Sequence, residues 1–172
     1  MPKQIVMGFI RAKNIKGKEY GYLVKNTWTA TGPRQNVKGY LGRILRPQKQ
    51  KEETPDIQNM NYNEAITTLI KQELTNHGFD NTLTQDKTKI DLENRKIINT
   101  NKNILLGINE GYLCTYTLNK LMTLNPTGYE EQAGLQLATV LVEAGLKLNK
   151  ETFVQLFEKI YKSNKNNTDK NE

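Results

Sequence analysis

Lysines, arginines and flat aromatic rings alternate through the first 46 residues of this chain. That combination suits a polyanion that also carries flat rings. Arg11, Lys13, Lys16, Lys18, Lys25, Arg34, Lys38, Arg43 and Arg46 supply positive charge, and Tyr20, Tyr22, Trp28 and Tyr40 are interleaved with them. Phosphates attract Lys and Arg, whereas unstacked bases and grooves offer surfaces on which rings can lie. The nine cations, with Trp28 and Tyr40, are the candidate contact residues. Tyr20 and Tyr22 share a strand face with Val24 and read as sheet packing.

Other reactive residues fall into less promising settings. Asp91 and Glu93 stand two apart on one strand face with Asp86 nearby, a spacing that could hold a divalent ion or divide acid and base roles. Lys87, Lys89, Arg95 and Lys96 surround them, so the solvated side of an edge hairpin is the better reading. His77 is the single histidine and closes a helix, with no second imidazole to share a metal. Cys114 sits in the stretch Tyr112-Leu113-Cys114-Thr115-Tyr116 and reads as a small buried hydrophobe. The only serine, Ser163, lies in a polar tail, which removes serine-nucleophile hydrolases. No Gly-rich loop ends in Lys-Ser/Thr, so a P-loop enzyme is excluded. No catalytic residue, metal or cofactor is expected.

The charge is unevenly placed. Residues 1–51 carry twelve Lys or Arg against one acid, Glu19, a net of +11. The other 121 residues hold 13 basic and 17 acidic side chains, a net of −4. Such asymmetry points to a polyanion-binding region joined to something with a different task. At 172 residues the chain suits one medium or two small domains. It holds no run of the ~20 apolar residues that a membrane span needs. The opening Met-Pro-Lys-Gln-Ile-Val has no apolar signal core, so a cytoplasmic location is expected.

Three strands, 5–13, 19–28 and 35–44, must position the candidate residues, with Gly17 supplying a tight first turn and Thr29–Pro33 a longer second loop. In the third strand, alternation puts Val37, Gly39 and Leu41 on one face and Lys38 and Tyr40 on the other. A polar linker with two prolines, 46–61, follows. A helix capped by Asn61 or Asn63 then runs to Gly78, and 88–98 suggests a short hairpin. Periodicity leaves Ile104–Ile108 open between strand and helix. Further helices hold Leu118 to Met122, Gly128 to Ala144 and Phe153 to Ile160. The last pair could pass for a helix-turn-helix, but the balanced charge of its second helix favours packing. The expected architecture is α+β: a basic three-stranded antiparallel module (1–45), the linker, a mostly helical region with a small hairpin (62–162), and a disordered tail (163–172).

The stretch Ile10-Arg11, Ile15-Lys16-Gly17-Lys18-Glu19-Tyr20-Gly21-Tyr22-Leu23-Val24, Gly32-Pro33-Arg34-Gln35 and Tyr40-Leu41-Gly42-Arg43 resembles the N-terminal segment of DDE-type insertion-sequence transposases, over about 40 residues. In that family it precedes a catalytic domain with a spread acidic triad. Here Asp80, Asp86, Asp91 and Glu93 are crowded together and no βββαβα pattern follows. The resemblance therefore implies a nucleic-acid-facing module without transposase activity. The whole chain also resembles a group of short archaeal proteins of unassigned function, through Asn76-His77-Gly78-Phe79, Asn109-Glu110-Gly111-Tyr112 and Val142-Glu143-Ala144-Gly145. The expectation is a non-enzymatic nucleic-acid-binding protein, DNA ahead of RNA. The alternatives are an RNA- or ribosome-associated protein, and a scaffold that meets a protein partner or itself through 128–162.

Overall fold

The computed structural model describes residues 8–168. Three long strands lead the chain: β1 (Gly8–Ile15), β2 (Lys18–Thr29) and β3 (Gly32–Leu45). The β1–β2 turn is two residues, Lys16 and Gly17, both at positive φ as a tight hairpin demands. The second turn is equally tight, because pairing continues to Thr29 and Gly32 where the sequence suggests a longer loop. Residues 5–7 of the expected first strand lie outside the described residues.

After α1 (Tyr62–Asn76) come β4 (Thr84–Gln85), β5 (Thr88–Asp91), β6 (Lys96–Asn99), β7 (Lys102–Ile108) and β8 (Gly111–Leu113). Three helices complete the chain: α2 (Thr115–Met122), α3 (Glu130–Glu143) and α4 (Lys150–Thr168). Asn61 caps α1: its side chain accepts the Glu64 N–H at 2.9 Å, and the Glu64 carboxylate accepts the Asn61 N–H at 3.1 Å. The last helix reaches Thr168, inside the segment read as a tail, and 169–172 lie outside the described residues.

The expected small sheet with a mostly helical remainder is not what forms. All eight strands join one mixed sheet, ordered β1-β2-β3-β7-β6-β5-β4, with β8 also on β7. The joint is a parallel pairing of β3 with β7, Arg43 to Ile104 through Leu45 to Leu106. A strand buried on both faces needs an unbroken apolar run rather than alternation, and Ile104-Leu105-Leu106 is such a run. Ile104 and Leu106 face the main core with Ile66, Ile70, Leu118, Leu137 and Leu156. Leu105 faces the opposite side, against Ile44 and Cys114, with Ile10, Ala12, Tyr112 and Tyr116 around them.

The segment read as a linker is pinned to the body. Ile57 is fully buried, Gln50 N–H donates to the Asn76 carbonyl at 2.8 Å, and the Asn76 amide donates to the Glu53 carbonyl at 3.0 Å. The basic strands are thus one end of a continuous structure. No helix among the described residues is long and apolar enough to cross a membrane.

Candidate nucleic-acid interface

Pairing registers decide which candidate residues stand together. Arg11 lies opposite Tyr22 and Lys13 opposite Tyr20, while β3 sets Tyr40 opposite Tyr22 and Arg43 opposite Tyr20. Residues paired across antiparallel strands share a face. Tyr40 and Arg43 are three apart, and simple alternation would point them in opposite directions. The register slips there, leaving Leu41 without a partner, and this bulge turns both side chains to one face. A second slip leaves Lys38 unpaired and places Val37 on that face as well. Val37 and Tyr40 therefore share a face that the sequence pattern divides between them.

The rings form a cluster. Tyr22 and Tyr40 centroids are 5.3 Å apart, Tyr20 and Tyr40 6.3 Å, and Lys13 Nζ lies 5.0 Å from the Tyr22 centroid. Tyr40 is 58% exposed, so the cluster lies open rather than beneath the helices. Partial burial, with the Tyr20 and Tyr22 hydroxyls close by, raises the Tyr40 phenol above its ordinary value and keeps it a neutral hydrogen-bond donor. Arg11 reaches across β2 at the level of Val24 to donate to Gln35 Oε1 at 2.5 Å, which fixes its side chain while leaving its charge.

Glu19 is the one acid of the first 51 residues, and it points the other way. Arg46 holds it with Nε–Oε2 at 2.5 Å and Nη2–Oε1 at 3.0 Å, and the guanidinium lies over the Tyr112 ring. This contact keeps the Glu19 carboxyl below its usual range and pushes the Arg46 guanidinium up. The tyrosine-bearing face of β1–β3 consequently has no acid of its own.

The eleven candidate residues separate accordingly. Arg11, Lys13, Lys18, Tyr40 and Arg43 share the aromatic face, and alternation along β2 adds Trp28, 75% exposed near the far turn. Lys25 and Arg34 fall on the opposite face of the same strands, Lys16 sits in the first turn, and Lys38 occupies the second bulge. Arg46 is neutralised by Glu19.

A cleft of about 560 Å³ opens beside the tyrosines, with Tyr20, Tyr40 and Arg43 on one side and Asn99, Thr100 and Lys102 of the β6–β7 turn on the other. Thr100 and Asn101 both adopt positive φ, making a tight two-residue turn that sets Asn99 opposite Lys102. Gly42 allows the strands to meet: its φ is +142°, and a Cβ there would strike the Asn103 carbonyl. Sequence reasoning missed this wall, although Thr100-Asn101 between two isoleucine-bearing runs is a hairpin signal.

The remaining reactive residues have structural positions. The Asp91 carboxylate accepts from the Asn94 side-chain amide at 2.6 Å and from its backbone N–H at 3.0 Å, which closes the β5–β6 turn, and these hydrogen bonds hold its pKa down. His77 is buried with Nδ1 2.8 Å from the Glu73 carbonyl oxygen. Cys114 is buried, and burial raises its thiol pKa. Among the described residues no three His, Cys, Asp or Glu side chains cluster as metal ligands. Compared with family models, curated proteins and solved structures, the chain matches none.

Proposed function

We propose that this chain is a non-enzymatic nucleic-acid-binding protein whose β1–β3 face contacts the phosphate backbone, with DNA ahead of RNA. One observation carries the reading: Arg11, Lys13, Lys18 and Arg43 converge with Tyr20, Tyr22 and Tyr40 on a face from which the one acid of β1–β3, Glu19, is turned away. Cations attract phosphate by releasing condensed counterions, and rings beside them accept sugars and bases. The preference for DNA comes from the resemblance of residues 10–43 to transposase N-termini.

Fluorescence anisotropy with labelled duplex DNA, single-stranded DNA and structured RNA tests it on the full chain at several salt concentrations. Binding should fall steeply with salt and weaken for every probe when Arg11, Lys13 and Arg43 are replaced together by Gln. Unchanged affinity in that variant, or no binding at low salt, would remove the proposed face.

A second reading, self-association through 128–162, is favoured by Leu135 and Val142, which are seven residues apart on α3 and 68% and 52% exposed. Light scattering that shows a monomer at high concentration would dismiss it.

A further inference from the structure

We infer that the cleft between the tyrosines and the β6–β7 turn receives an unpaired nucleotide, so that the preferred ligand is a single strand. This inference rests on the nucleic-acid reading above. Phosphate contact alone needs only cations on a convex or flat surface, yet this end of the face is concave and built from two separate parts of the chain. Its volume falls within the ~300–1,000 Å³ range of small-molecule sites, enough for one nucleotide.

The lining fits the parts of a nucleotide. Tyr40, 58% exposed, and Tyr20, 6.3 Å away between ring centroids, offer ring surfaces on which a base face can stack. Neither hydroxyl has a hydrogen-bond partner among the described residues. Arg43 and Lys102 stand on opposite walls, and neither has an acid partner among the described residues, so both remain available to the flanking phosphates. Arg46, three residues along, has an acid partner and lies outside the cleft. Asn99 makes the far wall polar, its amide donating to Thr88 Oγ1 at 3.0 Å and its oxygen accepting from Thr100 Oγ1 at 3.1 Å. The bulge at Leu41 turns Tyr40 and Arg43 to one face, and the close β3–β7 approach at Gly42 sets them against the β6–β7 turn that forms the second wall.

The test compares a thymidine strand of about 12 nucleotides with an abasic strand of the same length and charge, a matched duplex, and a uridine strand. Wild-type protein should prefer the thymidine strand to the abasic one by roughly tenfold, the size of one good base–aromatic stack. Tyr40→Ala should erase that preference, and Tyr40→Phe should keep it. A uridine strand bound as tightly as thymidine supports the cleft with RNA as well as DNA. Equal affinity for thymidine and abasic strands, or tighter binding of the duplex, would overturn the cleft assignment and leave phosphate binding standing. No binding to any probe would overturn both. The wild-type comparison of thymidine and abasic strands needs no variant, so a poorly folding Tyr40→Ala cannot shield the proposal.

Discussion

Arg43 and Arg46 sit three residues apart, carry the same group, and should differ sharply in what they contribute. Arg43 has no acid partner among the described residues, whereas Arg46 is bound through two nitrogens to Glu19 on the other side. On a single strand each neutralised phosphate contributes about 0.7 to the slope of log K against log salt. Arg11, Lys13, Lys18, Arg43 and Lys102 together then give a slope near −3.5, so raising salt from about 50 to about 200 mM weakens binding roughly 100-fold. Arg43→Gln should bring the slope to about −2.8 and the same salt step to roughly 50-fold. Arg46→Gln should leave the slope near the wild-type value, because its charge is already spent on a carboxylate. Anisotropy titrations of a single-stranded DNA at four or more salt concentrations read the slopes directly. Equal slopes for wild type and Arg43→Gln would refute the reasoning. So would an Arg46→Gln slope as shallow as that of Arg43→Gln, since the neutralisation of Arg46 would then be wrong.

Three further outcomes follow from packing and titration. Gly42→Ala forces a side chain into left-handed backbone and against Asn103, and should cost about 2–4 kcal/mol in chemical denaturation while loosening the β3–β7 joint. Tyr62 donates its hydroxyl to the Leu121 carbonyl at 2.9 Å, and burial raises its pKa above the ordinary 10.0. Its stabilising share is complete below pH 10 and should decline by about 1.4 kcal/mol per pH unit above it. Tyr62→Phe should flatten that alkaline decline relative to wild type in parallel melts. Cys114, buried and held as a thiol, should resist iodoacetamide in the native protein and react at a rate set by unfolding, read by mass spectrometry along a denaturant series.

Local chemistry made part of this fold legible. Gly17 marks the first turn, Asn61 is one of the two caps the sequence offers for α1, and alternation through Ile90 and Ile97 marks the β5–β6 hairpin, because neighbouring residues alone decide each of them. The larger sheet was not legible, since parallel pairing joins residues far apart and leaves no trace in either segment beyond an apolar run. The bulges at Lys38 and Leu41 depend on what β2 and β7 present from either side, so simple alternation misassigned Val37 and Tyr40. Glu19 and Arg46 illustrate the limit for the site itself. Both charges are visible in the sequence, but only the folded sheet shows that they cancel one another.

The joint between positions 43 and 104 also orders events in time. Hairpins of adjacent strands close in about 1–10 μs, whereas contacts between distant segments wait for the intervening chain. β1, β2 and β3 meet only their chain neighbours until β7 arrives, so the cationic sheet takes shape before the body that braces it. During that interval the outer edge of β3 is an open template for any other strand, and closure by β7 covers its Arg43–Leu45 end. The far wall of the cleft, residues 99–102, arrives with the same closure. The cationic face, built from strands adjacent in the chain, therefore closes before the cleft, whose two walls come from distant segments.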